Sequence, residues 1–228
     1  MFYFLGIDIG GKNNTWIVTL KKEEKYISLE PLFSLENPSN PSPFRDLSKL
    51  IEFVKNFNVL GAGIDAPLSF SLTNPHGFRK SDEELKTLLA SFNAPRTWVV
   101  SYHSLMAIPI RAFLLAEALS PYCGSIIETH PRANLYFCLP EEKRKIAYIY
   151  KKKGSVIPKE EQKFLISWIQ QKFQISLPSD LNFVDGILDA IFCAIAVLLY
   201  HISPERLKIL SKKEKNLKGY GPFVIVIF

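Results

Sequence analysis

Four acidic residues of this 228-residue chain lie in segments that are otherwise apolar, where a charged group is costly. They are Asp8 between two isoleucines, Asp65 after an Ala-Gly-Ile run, Glu128 after two isoleucines, and Asp189 between a leucine and an alanine. An isolated ionised carboxylate in such surroundings costs several kcal/mol, so it must be paired, neutralised or bound to a cation. No Lys or Arg directly flanks any of these positions. A shared cation is therefore the simplest explanation.

The chemistry that such a cluster supports is metal-dependent hydrolysis. Carboxylate oxygens are hard ligands that favour Mg²⁺ or Mn²⁺. Two such ions about 4 Å apart activate a water and stabilise the leaving oxygen when a phosphodiester is cleaved. We therefore predict Asp8, Asp65 and Asp189 as metal ligands, with Glu128 as a further catalytic carboxylate. The alternative for Asp8 and for Asp65 is a purely structural turn at the end of a strand.

Asp185 is a possible additional metal ligand. Residues four apart on a helix share a face, so Asp185 and Asp189 would point the same way. The alternative is a helix start with Asn182 as the N-cap, in which the helix dipole stabilises Asp185. The sequence leaves both interpretations open.

Basic and aromatic residues provide possible contacts to a phosphate or a base. The arginines and lysine suited to gripping phosphate are Arg79, Lys80, Arg96 and Arg111, with ordinary surface charge as the alternative. Trp98 and Tyr102 can stack on a base or belong to the core. His130 before Pro131 suits acid–base catalysis, although a structurally satisfied histidine is the favoured interpretation.

Composition points to one globular domain spanning residues 1–228. The net charge of +6 and a pI near 9.1 favour a polyanionic partner such as nucleic acid. The alternative is a solvated surface, on which Lys151–Lys153 and Lys212–Lys213 would lie. Three cysteines without CxxC spacing suggest neither disulfides nor zinc and fit a reducing cytoplasm. Because Asp189 interrupts the apolar stretch 186–202, we expect a core helix there and no membrane span.

The predicted elements form a mixed sheet with helices. Three strands come first, at 2–9, 14–20 and 26–35, and form an antiparallel meander. A helix after Pro43 and a buried strand at 59–64 follow. Further helices are expected from 81, at 104–119, 141–150, 158–173 and 185–201, with strands at 125–128 and 223–228.

Four short motifs together resemble the DUF four-twenty-nine family of predicted nucleases. They are Gly6-Ile7-Asp8-Ile9-Gly10, Gly63-Ile64-Asp65-Ala66-Pro67, Glu128-Thr129-His130-Pro131 and Asp185-Gly186-Ile187-Leu188-Asp189-Ala190, with Gly219-Tyr220-Gly221-Pro222 near the end. The resemblance implies an RNase H-like α/β fold, with three antiparallel strands, then parallel strands, and helices on both faces. It also implies metal ligation by Asp8, Asp65 and Asp189. Arg132 stands where the family often has a second acidic residue, so no role carries over to that position.

Two other functions compete with a nuclease. The segment 6–11 also resembles the first phosphate loop of actin-like ATPases, but 228 residues leave little room for the two domains that such proteins need. The other alternative is a non-catalytic RNase H-like module that binds nucleic acid. A nuclease requires the carboxylates to converge, whereas a binding module can keep them apart or cap them with Lys and Arg.

Overall fold

The computed structural model describes residues 1–11, 13–70, 75–105, 107–152, 157–210 and 218–227. The strands are β1 Phe2–Asp8, β2 Trp16–Glu23, β3 Tyr26–Leu29, β4 Val59–Ile64, β5 Ser69–Phe70, β6 Ser125–Thr129, β7 Ile175–Ser176, β8 Leu207–Ile209, β9 Lys218–Gly219 and β10 Phe223–Val226. The helices are α1 Leu47–Asn56, α2 Lys80–Ser91, α3 Ile108–Leu119, α4 Pro131–Cys138, α5 Ile146–Ile149, α6 Lys159–Phe173 and α7 Asp185–Ile202.

One eight-stranded mixed sheet organises the fold, in the order β7-β3-β2-β1-β4-β6-β10-β8. β1, β2 and β3 form an antiparallel meander, as the sequence predicts. β4, β6 and β10 then add in parallel with β1. The parallel strands bring their carboxyl ends to one edge of the sheet, which is where the acidic residues lie.

Both faces of the central strands are covered, which explains why β1 and β4 are almost continuously apolar. On one face, α7 packs across β1, β2 and β4. On the other face, α1 and α3 bury residues such as Leu50 and Leu115 against Leu5 and Ile7 of β1. The expectation of a mixed α/β sheet with helices on both faces is confirmed.

Glycines in the two central strands let α7 approach the sheet closely. A Cβ at Gly6 would collide with the carbonyl oxygen of Ala190, and one at Gly63 with that of Cys193. The backbone of α7 therefore lies directly on β1 and β4. By length and composition α7 could cross a membrane, but 78% of it is buried inside the protein, as in a core helix.

The sequence predictions missed α4 and shifted several boundaries. α4 begins at Pro131, immediately after β6, and proline at the first helical position is a recognised start signal. Residues 33–35 form a 3-10 turn rather than the end of β3, and α3 begins at Ile108 rather than at residue 104. The short strands β5, β7, β8 and β9 have too few residues to show a period.

Candidate metal centre

Three aspartates meet at the carboxyl edge of the central strands. Asp8 is the last residue of β1, and Asp65 follows the last residue of β4. The two strands are parallel with Ile7 beside Ile64, and the Asp65 N–H donates to the Ile7 carbonyl at 2.9 Å, so the aspartates are neighbours. Asp189 reaches them from α7. One carboxylate oxygen from each of the three lies within 4.8 Å of the other two.

Strand alternation explains which acidic residues converge. Successive side chains of a strand point to opposite faces. Ile7 and Ile64 belong to the core beneath α1 and α3, so Asp8 and Asp65 point to the α7 face. Glu128 pairs with Ile64 in the parallel register and therefore points away from α7. The prediction that Asp8, Asp65 and Asp189 lie close together on one side of the sheet is confirmed.

Crowding of like charges shifts the pKa values of this cluster. Burial, then the Asp189 and Asp65 carboxylates, raise the pKa of Asp8 well above its ordinary value. Burial and the Asp189 carboxylate raise the pKa of Asp65 to about 7. Each shift favours the neutral acid, because the charged form loses water and gains negative neighbours. A bound cation would relieve both effects.

Two residues from outside the four motifs contact Asp189. The Tyr150 hydroxyl donates to Oδ1 of Asp189 at 2.7 Å, and Nζ of Lys151 forms an ion pair with Oδ2. Burial opposes the charge of Lys151, but the Asp189 carboxylate and its two neighbours outweigh burial and raise the pKa of the ammonium. Lys151 thus offsets one of the three negative charges. Both residues precede Asp189 by more than 35 positions, so no local sequence signal shows the contact.

Glu128 takes part in a separate ion-pair network and lies outside the aspartate group. Both of its oxygens accept from the guanidinium of Arg79, at 2.6 and 2.7 Å, and the Leu68 N–H donates at 2.9 Å. Arg79 also makes two bonds to Asp82, and it is only 1% exposed. The sequence assigned Glu128 to the catalytic carboxylates and Arg79 to phosphate. The structure instead joins the two in the protein interior.

Asp185 is the first residue of α7, and it is outside the group of ligand atoms that meet. The N-cap of α7 is Val184, so the predicted cap at Asn182 is wrong. Oδ1 of Asp185 accepts from the Gly186 N–H at 2.9 Å. A carboxylate in the first turn is stabilised by the helix dipole. Its charge still contributes to the raised pKa of Asp8.

A cavity of about 280 Å³ opens beside the aspartates. Asp8 and Asp65 line this cavity. The basic residues Arg132 and Lys151 also line it, together with the ring of Trp98. Negative and positive groups therefore face the same space. Such a mixture suits a metal ion and an anionic ligand bound together.

His130 has a structural role, as the favoured sequence interpretation holds. Its Nδ1 accepts from the Ala133 N–H at 3.3 Å, so His130 caps α4, and its Nε2 lies 3.1 Å from the Trp98 carbonyl. These partners assign the proton to Nε2. Burial lowers the pKa of His130, which favours the neutral ring. Both ring nitrogens are engaged, which leaves none for proton transfer.

Of the other predicted contact residues, Lys80 and Arg111 do not line the cavity. Arg96 lines an adjacent groove with Lys86, and the Tyr102 ring packs edge-on against Phe70. Trp98 is partly buried, packs edge-on against Tyr136 at the margin of the core, and also lines the cavity. Lys153, Lys212 and Lys213 are outside the described residues. Cys123, Cys138 and Cys193 are buried free thiols.

Comparisons of the chain with protein-family models, with curated proteins and with solved structures find no match. The geometry itself shows a buried acidic triad that could hold a metal ion. The triad is built from two adjacent parallel strands and the helix that crosses them.

Proposed function

We propose that this protein is a Mg²⁺- or Mn²⁺-dependent nuclease. The observation that carries the proposal is the convergence of Asp8, Asp65 and Asp189, with ligand atoms within 4.8 Å. Three carboxylates without nitrogen or sulfur ligands match the hard donor set of these two ions. The raised pKa values of Asp8 and Asp65 support the same conclusion, since the cations among the described residues leave negative charge uncompensated.

The sheet order supports the RNase H-like fold that the motif resemblance implies. A meander in the order β3-β2-β1, followed by parallel β4 and β6, is the arrangement expected from the sequence. We propose that Asp8 on the first strand, Asp65 on the fourth and Asp189 on the late helix act as the metal ligands of that fold.

The reaction we propose is hydrolysis of a phosphodiester. Water adds to phosphorus, the bond to one sugar oxygen breaks, and that oxygen leaves as a hydroxyl. A bound Mg²⁺ or Mn²⁺ supplies electrophilic stabilisation and an acidified water. The aspartates hold the cation, and the basic residues that line the cavity, Arg132 and Lys151, attract the phosphate. Glu128 has no direct part in this scheme, because Arg79 occupies both of its oxygens.

One observation favours a second function, a non-catalytic module that binds nucleic acid. Lys151 caps Asp189 and Arg79 caps Glu128, which is the arrangement expected when carboxylates serve only the scaffold. The two caps differ in access, however. The Lys151 side chain is 30% exposed, whereas Arg79 is 1% exposed. Lys151 can leave Asp189 for solvent, so the aspartates remain available to a metal.

The test is cleavage of DNA, RNA, hybrid and branched substrates with Mg²⁺ or Mn²⁺. Asp8→Asn keeps the shape of the side chain but removes its charge, so it should abolish cleavage while circular dichroism shows an intact fold. Asp180→Asn, an exposed carboxylate remote from the site, is the matched control and should cleave as the wild type does. No cleavage of any substrate by the wild type, or an unchanged rate for Asp8→Asn, would remove the nuclease proposal. Salt-sensitive binding without cleavage would favour the binding module.

A further inference from the structure

Arg132 differs from the other basic residues of the cavity in having no acidic partner. It is the second residue of α4, which starts directly after β6 at the carboxyl edge of the sheet. Among the described residues, no carboxylate oxygen lies within ion-pair distance of Arg132. Arg79 and Lys151 line the same cavity, and both are paired with carboxylates.

The guanidinium of Arg132 is held in place from two sides. Its Nε donates to the Ala147 carbonyl at 2.8 Å, and its Cζ lies 4.1 Å from the centre of the Trp98 ring. These contacts hold the plane of the guanidinium in one orientation before a ligand binds. Binding then costs little further side-chain entropy. The contacts use one nitrogen of three, and among the described residues neither Nη1 nor Nη2 donates a hydrogen bond. Paired N–H groups of this kind match two oxygens of a phosphate.

A partly buried arginine without a counter-ion is electrostatically incomplete. Burial lowers the pKa of Arg132, and Tyr150, Asp189 and Tyr148 oppose that effect only in part. Arginine nevertheless stays charged at neutral pH. An anion in the cavity would restore the hydrogen bonds that burial removes.

We infer that Arg132 binds the phosphate of the substrate through Nη1 and Nη2, in the cavity that Asp8 and Asp65 also line. This role rests on the proposed metal-dependent function, because three carboxylates would repel a phosphate from the same cavity. Phosphate affinity at Arg132 therefore requires a cation on the aspartates. Arg132 is then a substrate-binding residue that sets the position of the phosphate, and the aspartates hold the metal.

The test uses calorimetric titration of the full chain with thymidine 5′-monophosphate in the presence of Mg²⁺. We expect binding to the wild type, at least tenfold weaker binding to Arg132→Gln, and intermediate binding to Arg132→Lys, which keeps the charge but loses the paired N–H groups. Arg144→Gln is the matched control, since Arg144 also lies over an aromatic ring, 5.1 Å from that of Tyr136, but does not line the cavity. Thermal melting checks that each variant is folded.

Separate titrations with Mg²⁺ alone distinguish the two proposals. If Mg²⁺ fails to bind the wild type, both the metal-dependent function and the phosphate role are wrong. Suppose that Mg²⁺ binds but the mononucleotide does not, or that the mononucleotide binds Arg132→Gln as tightly as it binds the wild type. Either result overturns only the phosphate role. Nucleotide binding that is equally strong in EDTA would also contradict the inference.

Discussion

Two groups of carboxylates lie at the same edge of the sheet, on opposite faces, and differ in how their charge is balanced. On the face away from α7, the guanidinium of Arg79 makes two bonds to Glu128 and two to Asp82. On the α7 face, three aspartates share one ammonium among the residues that the structure describes, that of Lys151, which pairs directly with Asp189. Both groups adjoin the same cavity, but the Glu128 carboxylate is saturated by donors from Arg79 and Leu68, whereas the aspartates outnumber their cation among the described residues.

This difference separates a structural ion pair from a candidate metal centre. Asp65 and Glu128 both follow an isoleucine near the carboxyl end of a buried strand, so these features alone do not identify a ligand. What distinguishes them is the number and geometry of nearby cationic donors. The Glu128 network satisfies its donors and acceptors, whereas the aspartate group retains excess negative charge and access to solvent.

The largest expected effect concerns the ion-pair network of Arg79, Asp82 and Glu128. Arg79→Met leaves two buried carboxylates without their cation, and breaking a buried pair in this way typically costs about 3–5 kcal/mol. We therefore expect the free energy of unfolding, measured by urea titration, to fall by that amount. Arg144→Met is the control and should lose far less. A loss below about 1 kcal/mol for Arg79→Met would contradict the conclusion that Arg79 balances the charges of Asp82 and Glu128.

A smaller effect distinguishes the aspartate group by its pH dependence. In metal-free protein, the folded pKa of Asp65 is about 7, above the unfolded value near 4. The native state then holds a proton that the unfolded chain releases, so the free energy of unfolding falls as pH rises from about 4 to about 7. We expect this contribution to be about 1–3 kcal/mol, less than the full shift implies because the neighbouring aspartates titrate together with Asp65.

Urea titrations in EDTA between pH 4 and pH 8 measure this dependence. The double variant Asp8→Asn, Asp65→Asn should show a flatter profile than the wild type and greater stability at pH 8. Adding Mg²⁺ should flatten the wild-type profile in the same way. Identical profiles for the wild type and the double variant would mean that the aspartates are not crowded in solution.

The smallest expected effect concerns Lys151, which is more exposed than Arg79, the cation of the Glu128 network. Lys151→Met removes the ammonium that competes with a divalent cation for Asp189, so Mg²⁺ affinity measured by calorimetry should rise by up to about tenfold, or about 1.4 kcal/mol. Lys143→Met, which breaks an ion pair with Glu161 outside the cavity, should leave affinity unchanged. Weaker Mg²⁺ binding in Lys151→Met would show that Lys151 supports the metal rather than replacing it.

The sequence was informative where a strong local signal exists. Asp8, Asp65 and Asp189 interrupt apolar runs, and parallel strands necessarily bring Asp8 and Asp65 to one edge. The meander and the long core helix α7 follow from equally clear patterns. The location of the candidate centre could therefore be predicted before the structure.

The remainder depends on contacts between residues distant in sequence. Glu128 was grouped with the aspartates because a strand buried on both faces shows no alternation from which its direction could be read. Its partner Arg79 is 49 positions away, and Lys151 is 38 positions from its own partner Asp189. The start of α4 at Pro131 was detectable, since proline favours the first helical position.

The most direct measurement of the central claim is anomalous diffraction from crystals soaked in Mn²⁺. The account predicts a peak bounded by carboxylate oxygens of Asp8, Asp65 and Asp189, with Nζ of Lys151 moved away from Asp189, and no peak at Glu128. Crystals of Asp8→Asn should lose the peak or show it greatly weakened. An empty aspartate group with Lys151 still paired to Asp189 at saturating Mn²⁺, or a peak only elsewhere, would contradict the metal centre.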